Sequence, residues 1–277
     1  MIFLFLGATV PGCYGTGGEE SPALSSPGDE SVEGDDFFIA VHCEPGKVPL
    51  SNAYAAGNWP ALTELVQSAD AYHMKLTLLF SPQWIMYILE DDGRLELVHR
   101  WEARGHEIGL CHHGPHIDTW DGYTDQANYF SSRKYVGRTE AMMVLVKQIP
   151  ASGQVATAFV NSADREFDFP RGISYEISSG SGKLEDLSGN PTEVTINGQQ
   201  VLRLTCAGYA AQKNRNKFNL EEISQLLNEN EGDEIMGVAF HTFEYAEKPE
   251  PFDGLFELLD GRGIHTSSVS SIMEFHR

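Results

Sequence analysis

The stretch GHEIGLCHHGPH, Gly105–His116, decides how this chain is read, and it holds four of its ten histidines. HEIGLCHH is apolar and β-prone, so it predicts a strand. Gly114-Pro115 then stops regular structure, because proline has no N–H to give and fixes φ. His112, His113 and His116 therefore fall at the C-terminal end of a strand and on the turn leaving it. A tight turn can aim two imidazoles at one centre, and His112 and His116 have the spacing for it. Three protein ligands and one open position make the usual hydrolytic zinc arrangement. His113 then points elsewhere, toward a substrate. His106 and Glu107 lie at the opposite end of the strand and read as structural, with Gly105 closing the helix before them. His73 and His99 fall on expected helices as surface or packing residues.

Outward from this stretch, strand and helix patterns alternate. FFIAVHCE is a first strand, and KLTLLFSP a second, stopped by Pro82. Between them NWPALTELVQSADAYH predicts a helix capped by Asn58, with Pro60 in its first turn and Leu62, Leu65, Val66, Ala69 and Tyr72 on one face. PQWIMYILE predicts a short helix ended by DDG, and LELVHRWEARG a second helix ending at Gly105. After the histidines come a helix in TEAMMVLVKQIP, a strand in QVATAFV, and a hairpin around Asn197-Gly198. NLEEISQLLNEN predicts a helix capped by Asn219. EIMGVAFHTF is a late strand carrying His241, and PFDGLFELLDGRG and VSSIMEF are closing helices. Such alternation implies a parallel sheet, open or closed as a barrel, with its active site at the C-terminal strand ends. Glu44, the histidine cluster and His241 all fall there.

The formal net charge is −21, from 40 acids and 19 bases, with no basic patch. That charge disfavours nucleic acid and bare anionic lipid as partners, and suits a neutral or cationic ligand or a metal ion. Residues 1–13, MIFLFLGATVPGC, are an apolar run too short to span a bilayer. They read as the core of a secretory signal whose VPGC ending resembles a bacterial lipobox, with Cys13 as the lipidated residue. Residues 14–36 are rich in Gly, Ser, Pro and acids, and read as a disordered tether. The folded domain is then 37–277. The expected location is outside the cytoplasm, as an envelope lipoprotein or secreted protein, touching a membrane only through the lipid. Cys43, Cys111 and Cys206 read as small buried hydrophobes on strands; one bridge among them is the alternative.

RGHEIGLCHHGPH resembles the second motif of the NodB-like polysaccharide deacetylases, carbohydrate esterase family 4. That motif runs Gly-His-Glu-Ile-Gly into His-Ser/Thr-x-x-His. His112 and His116 match its spacing, offset by one residue after GHEIG. The resemblance implies an irregular α/β barrel of the deacetylase type, a divalent metal such as Zn2+ on His112 and His116, and a glycan substrate. The family's first motif is Thr-Phe-Asp-Asp-Gly, whose acids are general base and metal ligand. This chain has VHCEPG, which puts Glu44 on the base position and Pro45 on the ligand position. The lost ligand is then Glu44 itself, His42, Asp118 or Asp164. His42 and Glu44 have the same strand parity and can face one site. The family's Arg-x-Pro-Tyr motif is not visible; DREFDFPRG is a poor substitute. AFH matches the late Leu-x-His motif, which implies His241 as general acid. Trp120 and Tyr123 are candidate sugar-binding aromatics. Three readings follow: a metal-dependent hydrolase of an acyl group on an envelope or extracellular glycan, a non-catalytic glycan-binding lipoprotein, or a hydrolase of another C–N or glycosidic bond.

Overall fold

The computed structural model describes residues 36–179, 189–212, 217–229 and 235–276. The signal-like segment 1–13 with Cys13, and the tether up to residue 35, lie outside the described residues. Along the chain the elements are β1 (Phe37–Cys43), α1 (Ala53–Ala71), β2 (Leu76–Phe80), α2 (Pro82–Leu89), α3 (Asp92–Ala103), β3 (Glu107–His113), α4 (Thr139–Val146) and β4 (Thr157–Asn161). They continue with α5 (Arg165–Asp168), β5 (Tyr175–Ser179), β6 (Thr192–Ile196), β7 (Gln199–Gly208), α6 (Leu220–Glu229), β8 (Met236–His241), α7 (Thr242–Glu247), α8 (Glu250–Asp260) and α9 (Val269–Phe275). Among the described residues no helix is long and apolar enough to cross a membrane.

Seven parallel strands close on themselves in the order β1-β2-β3-β4-β5-β7-β8 and back to β1. The eighth strand, β6, pairs antiparallel with β7 outside the ring. The (β/α) barrel expected from the alternation is what forms. Strands buried on both faces should be apolar throughout rather than alternating. Indeed β1 is buried at all seven positions and β2 at all five.

The two faces belong to two cores. Ile39, Val41, Leu78, Phe80, Leu110, Val160 and Phe240 pack with helix residues such as Leu62, Trp84, Val98 and Phe252. Phe38, Ala40, Leu79, Cys111, Ile177, Leu204 and Ala239 pack with one another and with Val269, Ile272 and Met273 of α9. The second set fills the barrel. Space there is short: a Cβ on Gly109 would lie 2.6 Å from Leu79 Cδ2 and 2.8 Å from the Thr157 carbonyl oxygen. This is the physical need for the second glycine of GHEIG.

α9 closes the N-terminal end of the barrel. Ser270 N donates to Glu107 Oε2 at 3.1 Å, and the Thr77 and Thr157 hydroxyls donate to the same half-buried carboxylate. His106 Nδ1 accepts from Leu76 N at 3.0 Å, and its Nε2 lies 3.1 Å from Asp70 Oδ1. Both residues are structural, far from the C-terminal strand ends. Cys43, Cys111 and Cys206 are buried free thiols.

Two local expectations are corrected. α1 begins at Ala53, so Asn58 is no cap and Pro60 stands inside the helix; the Asn58 amide donates to Tyr54 O instead. The Ala-Tyr-Ala-Ala opening favours helix strongly. It also puts Ala55 on the buried face with Leu62, which carries the helix through the one backbone bond proline cannot make. α2 ends before DDG as expected, but α3 begins at Asp92 rather than at Leu95, because the Asp91 carboxylate caps it by accepting from Arg94 N at 2.9 Å. The hairpin holds as read, with Asn197 and Gly198 at φ 50° and 67°, the left-handed pair a type I′ turn requires. The Asn219 cap also holds: its Oδ1 accepts from Glu222 N at 3.0 Å.

Candidate functional site

Inward residues of the last strand positions converge at the barrel mouth. On β1 these are His42 and, one step past the strand, Glu44. On β3 they are Cys111 and His113, and on β8 His241. Strand register sets His42 directly beside His241. The Glu44 backbone is fixed by the indole of Trp84 in α2, whose Nε1 donates to Glu44 O at 3.0 Å.

Glu44 is the hub. Its Oε2 lies 3.2 Å from His113 Nε2, and its Oε1 lies 3.2 Å from His241 Nε2 and 3.9 Å from His42 Nδ1. Burial opposes ionisation of this carboxyl, but the His113 and His241 rings outweigh it and hold Glu44 well below the usual carboxylate range. Burial, then the neighbouring His241, pushes His42 down to about 3, so its ring is neutral. Neither ring nitrogen of His42 has a hydrogen-bond partner, and Nε2 of His113 lies against the Glu44 carboxylate. The other His113 nitrogen, Nδ1, lies 2.8 Å from Thr119 Oγ1, which keeps Nε2 turned to the mouth.

His241 has a different support. Its Nδ1 lies 2.8 Å from Glu244 Oε2, and its backbone N–H donates to the same oxygen at 3.0 Å. Lys217 donates to Glu244 Oε1 at 2.5 Å. Burial lowers the His241 pKa, yet the bonds to Glu244 and Glu44 prevail and raise it. Burial opposes ionisation of Glu244 too, but the contacts with His241 and Lys217 pull its carboxyl down. The unit is a carboxylate-oriented imidazole whose Nε2 faces Glu44.

The expected pairing of His112 with His116 does not form a centre. Side chains alternate along a strand, so His112 leaves the outer face of β3. There its Nδ1 lies 2.7 Å from Asp121 Oδ2, and both groups are fully buried. His116 is exposed, and its Nδ1 accepts from Ala163 N at 3.2 Å. Asp118 is exposed, with Lys134 on its backbone oxygen. Asp164 stands before α5 and caps it without a side-chain bond. Among the described residues, the groups whose ligand atoms all lie within 4.8 Å are His42–Glu44–His241 and Glu44–Cys111–His113. His112, His116, Asp118 and Asp164 are in neither, so of the expected ligands the structure gathers only Glu44 and His42. His113, expected to face substrate, is the member of the cluster that turns inward.

Trp120 and Tyr123 are not open sugar platforms. Both are buried, and the Trp120 indole donates to Tyr123 O at 3.0 Å, closing the loop on itself. The exposed aromatic at the mouth is Phe243, stacked on the His241 ring at 5.0 Å. Sequence reasoning missed Glu244, Lys217 and Asp121. Glu244 had a signal, since it stands three residues after His241 in a capping-box position. Asp121 and Lys217 had none, because loops bring them in.

No protein-family model and no curated protein matches the sequence. Solved structures do match the fold. A Mycobacterium smegmatis protein assigned as a polysaccharide deacetylase aligns over 94% of this chain and 95% of its own, at 14% identity and a TM-score of 0.51. The fold is that of the polysaccharide deacetylases. PuuE allantoinase aligns over 87% of this chain and 89% of its own, at 12% identity and a TM-score of 0.53. A 4-alpha-glucanotransferase from Thermococcus litoralis aligns over 86% of this chain at 12% identity and a TM-score of 0.55, but the chain covers only 40% of that protein's length. Proteins with three different names thus share the barrel, and function has to be argued from this chain's own mouth.

Proposed function

We propose that this chain is a metal-dependent hydrolase that removes an acetyl or related acyl group from a glycan. The observation that carries this is the Glu44 carboxylate at the barrel mouth, with the unpartnered ring nitrogens of His42 and the Nε2 of His113 turned toward it. Unpaired buried polar atoms such as the His42 nitrogens are costly, and imidazoles around an ionised carboxylate make a donor set suited to a divalent cation. Glu44 and His113 would hold it, with His42 on the other carboxylate oxygen. When bound, such an ion polarises an acyl carbonyl and brings the pKa of a water to about 7.

The protein's own groups account for the rest. Both Glu44 oxygens lie 3.2 Å from imidazole nitrogens, so its part is charge and ligation rather than the general base that the first motif implied. His241 is the general acid: its Nε2 faces the reacting centre and Glu244 holds its other nitrogen. In hydrolysis the acyl carbon takes the hydroxyl of water, the C–N or C–O bond breaks, the leaving atom takes the proton from Nε2, and the proton that the water gives up restores the protonated His241 ring for the next turnover. Phe243, stacked on His241, offers an apolar surface for a sugar ring. An extracellular or envelope glycan fits the signal-like run at residues 1–13 and the acidic tether behind it.

The test is acetate release from acetylated amino-sugar oligomers and acetylated xylan. We expect turnover that a chelator abolishes and zinc restores. His241→Ala should lower kcat by about 10^2–10^4-fold, the usual range for general acid–base groups. Glu244→Gln should lower kcat less and move the alkaline fall of the rate profile to lower pH, because an acid works only below its pKa and Glu244 raises that of His241. An unchanged profile in Glu244→Gln would remove Glu244 from this role. No acetate from any acetylated glycan, by a chain loaded with zinc, would overturn the reading.

A further inference from the structure

We propose that Cys111 is a sulfur ligand of the cation site, which makes the site one for zinc-like, thiophilic ions rather than magnesium or calcium. The inference rests on the metal-site reading of the mouth and adds a ligand to it. Cys111 lies two residues before His113 on β3, so both side chains enter the barrel. Its Sγ, a Glu44 oxygen and a His113 nitrogen all lie within 4.8 Å of one another. Ligands bound to one tetrahedral ion at about 2.0–2.3 Å stand roughly 3.5 Å apart. A small contraction therefore brings the three around one ion.

The other thiols are occupied differently. Cys43 faces outward, where its Sγ lies 3.3 Å from Thr242 Oγ1, and Cys206 donates to Ser178 O at 3.6 Å. Among the described residues Cys111 has no such hydrogen bond, and it lies beside the two candidate ligands Glu44 and His113. Burial, with the nearby Glu44 and Asp121 charges, keeps its thiol protonated in the free chain. On binding, the S–H bond breaks and the S–metal bond forms. The proton passes to solvent, with no change of oxidation state. A thiolate in the set discriminates against hard oxygen-seeking cations.

Cobalt(II) tests this on the full chain carrying Cys13→Ser, which removes the thiol at the end of the signal-like segment. We expect cobalt uptake with a sulfur-to-cobalt charge-transfer band in the near ultraviolet. Cys111→Ser should lose the band and keep its circular dichroism, with zinc affinity reduced by more than the roughly 10–100-fold that losing a hydrogen-bond partner of a ligand costs. Cys43→Ser should keep the band. A second measurement needs no change at Cys111: X-ray absorption of the zinc-loaded chain should show one sulfur at about 2.3 Å. Bound metal with no sulfur signal, or a band that survives Cys111→Ser, would overturn the Cys111 assignment and leave Glu44 and His113 as ligands. No metal bound at all would overturn both readings.

Discussion

Replacing Glu44 by Gln is expected to abolish ion binding and lower kcat/KM by about 10^3-fold, with the fold intact. Gln has the same shape and keeps the backbone bond from Trp84. What goes is the negative charge between His42, His113 and His241. An ion at such a site supplies several kcal/mol of transition-state stabilisation, and about 1.4 kcal/mol is a factor of ten in rate. Steady-state kinetics and metal content of the same preparation check it, with circular dichroism as the control for folding. Activity within about tenfold of the parent chain would show that the carboxylate is not the hub.

The largest effect on stability is expected at Asp121. Its carboxylate is fully buried, receives the His113 and Tyr123 backbone N–H groups at 3.0 and 3.1 Å, and faces His112 Nδ1. Asp121→Ala leaves that imidazole buried with no counter-charge, and breaking a buried pair costs about 3–5 kcal/mol. The loss has a pH dependence of known sign. Burial lowers the His112 pKa, but Asp121 outweighs it and raises the value above normal. The pair's contribution is therefore full below about 6.5, the unperturbed histidine value, and fades as pH rises through the raised one. Urea unfolding at pH 6 and pH 9 checks this. The variant should lose more at pH 6; a loss under about 1 kcal/mol at both would refute the pairing.

These two residues also show what was legible in the sequence. Alternation of apolar strands with amphipathic helices was enough for the barrel, because each pattern follows from burial on two faces or one. The site's address, at the ends of β1, β3 and β8, followed from the direction of the strands. The exact histidine did not. In β3 both faces are buried, so Ile108 and Leu110 on one side look no different from Gly109 and Cys111 on the other. With no polar face to mark the outside, parity cannot be read, and a one-residue slip exchanges His112 for His113. Trp120 and Tyr123 misled for a related reason: sequence shows an aromatic in a loop but not whether the loop folds over it. β5, which closes the ring through β7, carried too weak a pattern in SYEISS to be recognised. Pro60 by itself points to a helix start, because proline favours the first turn. The apolar stripe that extends back to Ala55 decided otherwise.

The most direct measurement of the central claim is zinc binding by equilibrium dialysis to the full chain and three variants. The account expects about one ion per chain. It expects that ion to be lost in Glu44→Gln and His113→Ala and retained in His116→Ala. Loss of the ion in His116→Ala, with retention in His113→Ala, would contradict it and move the centre to the turn after β3.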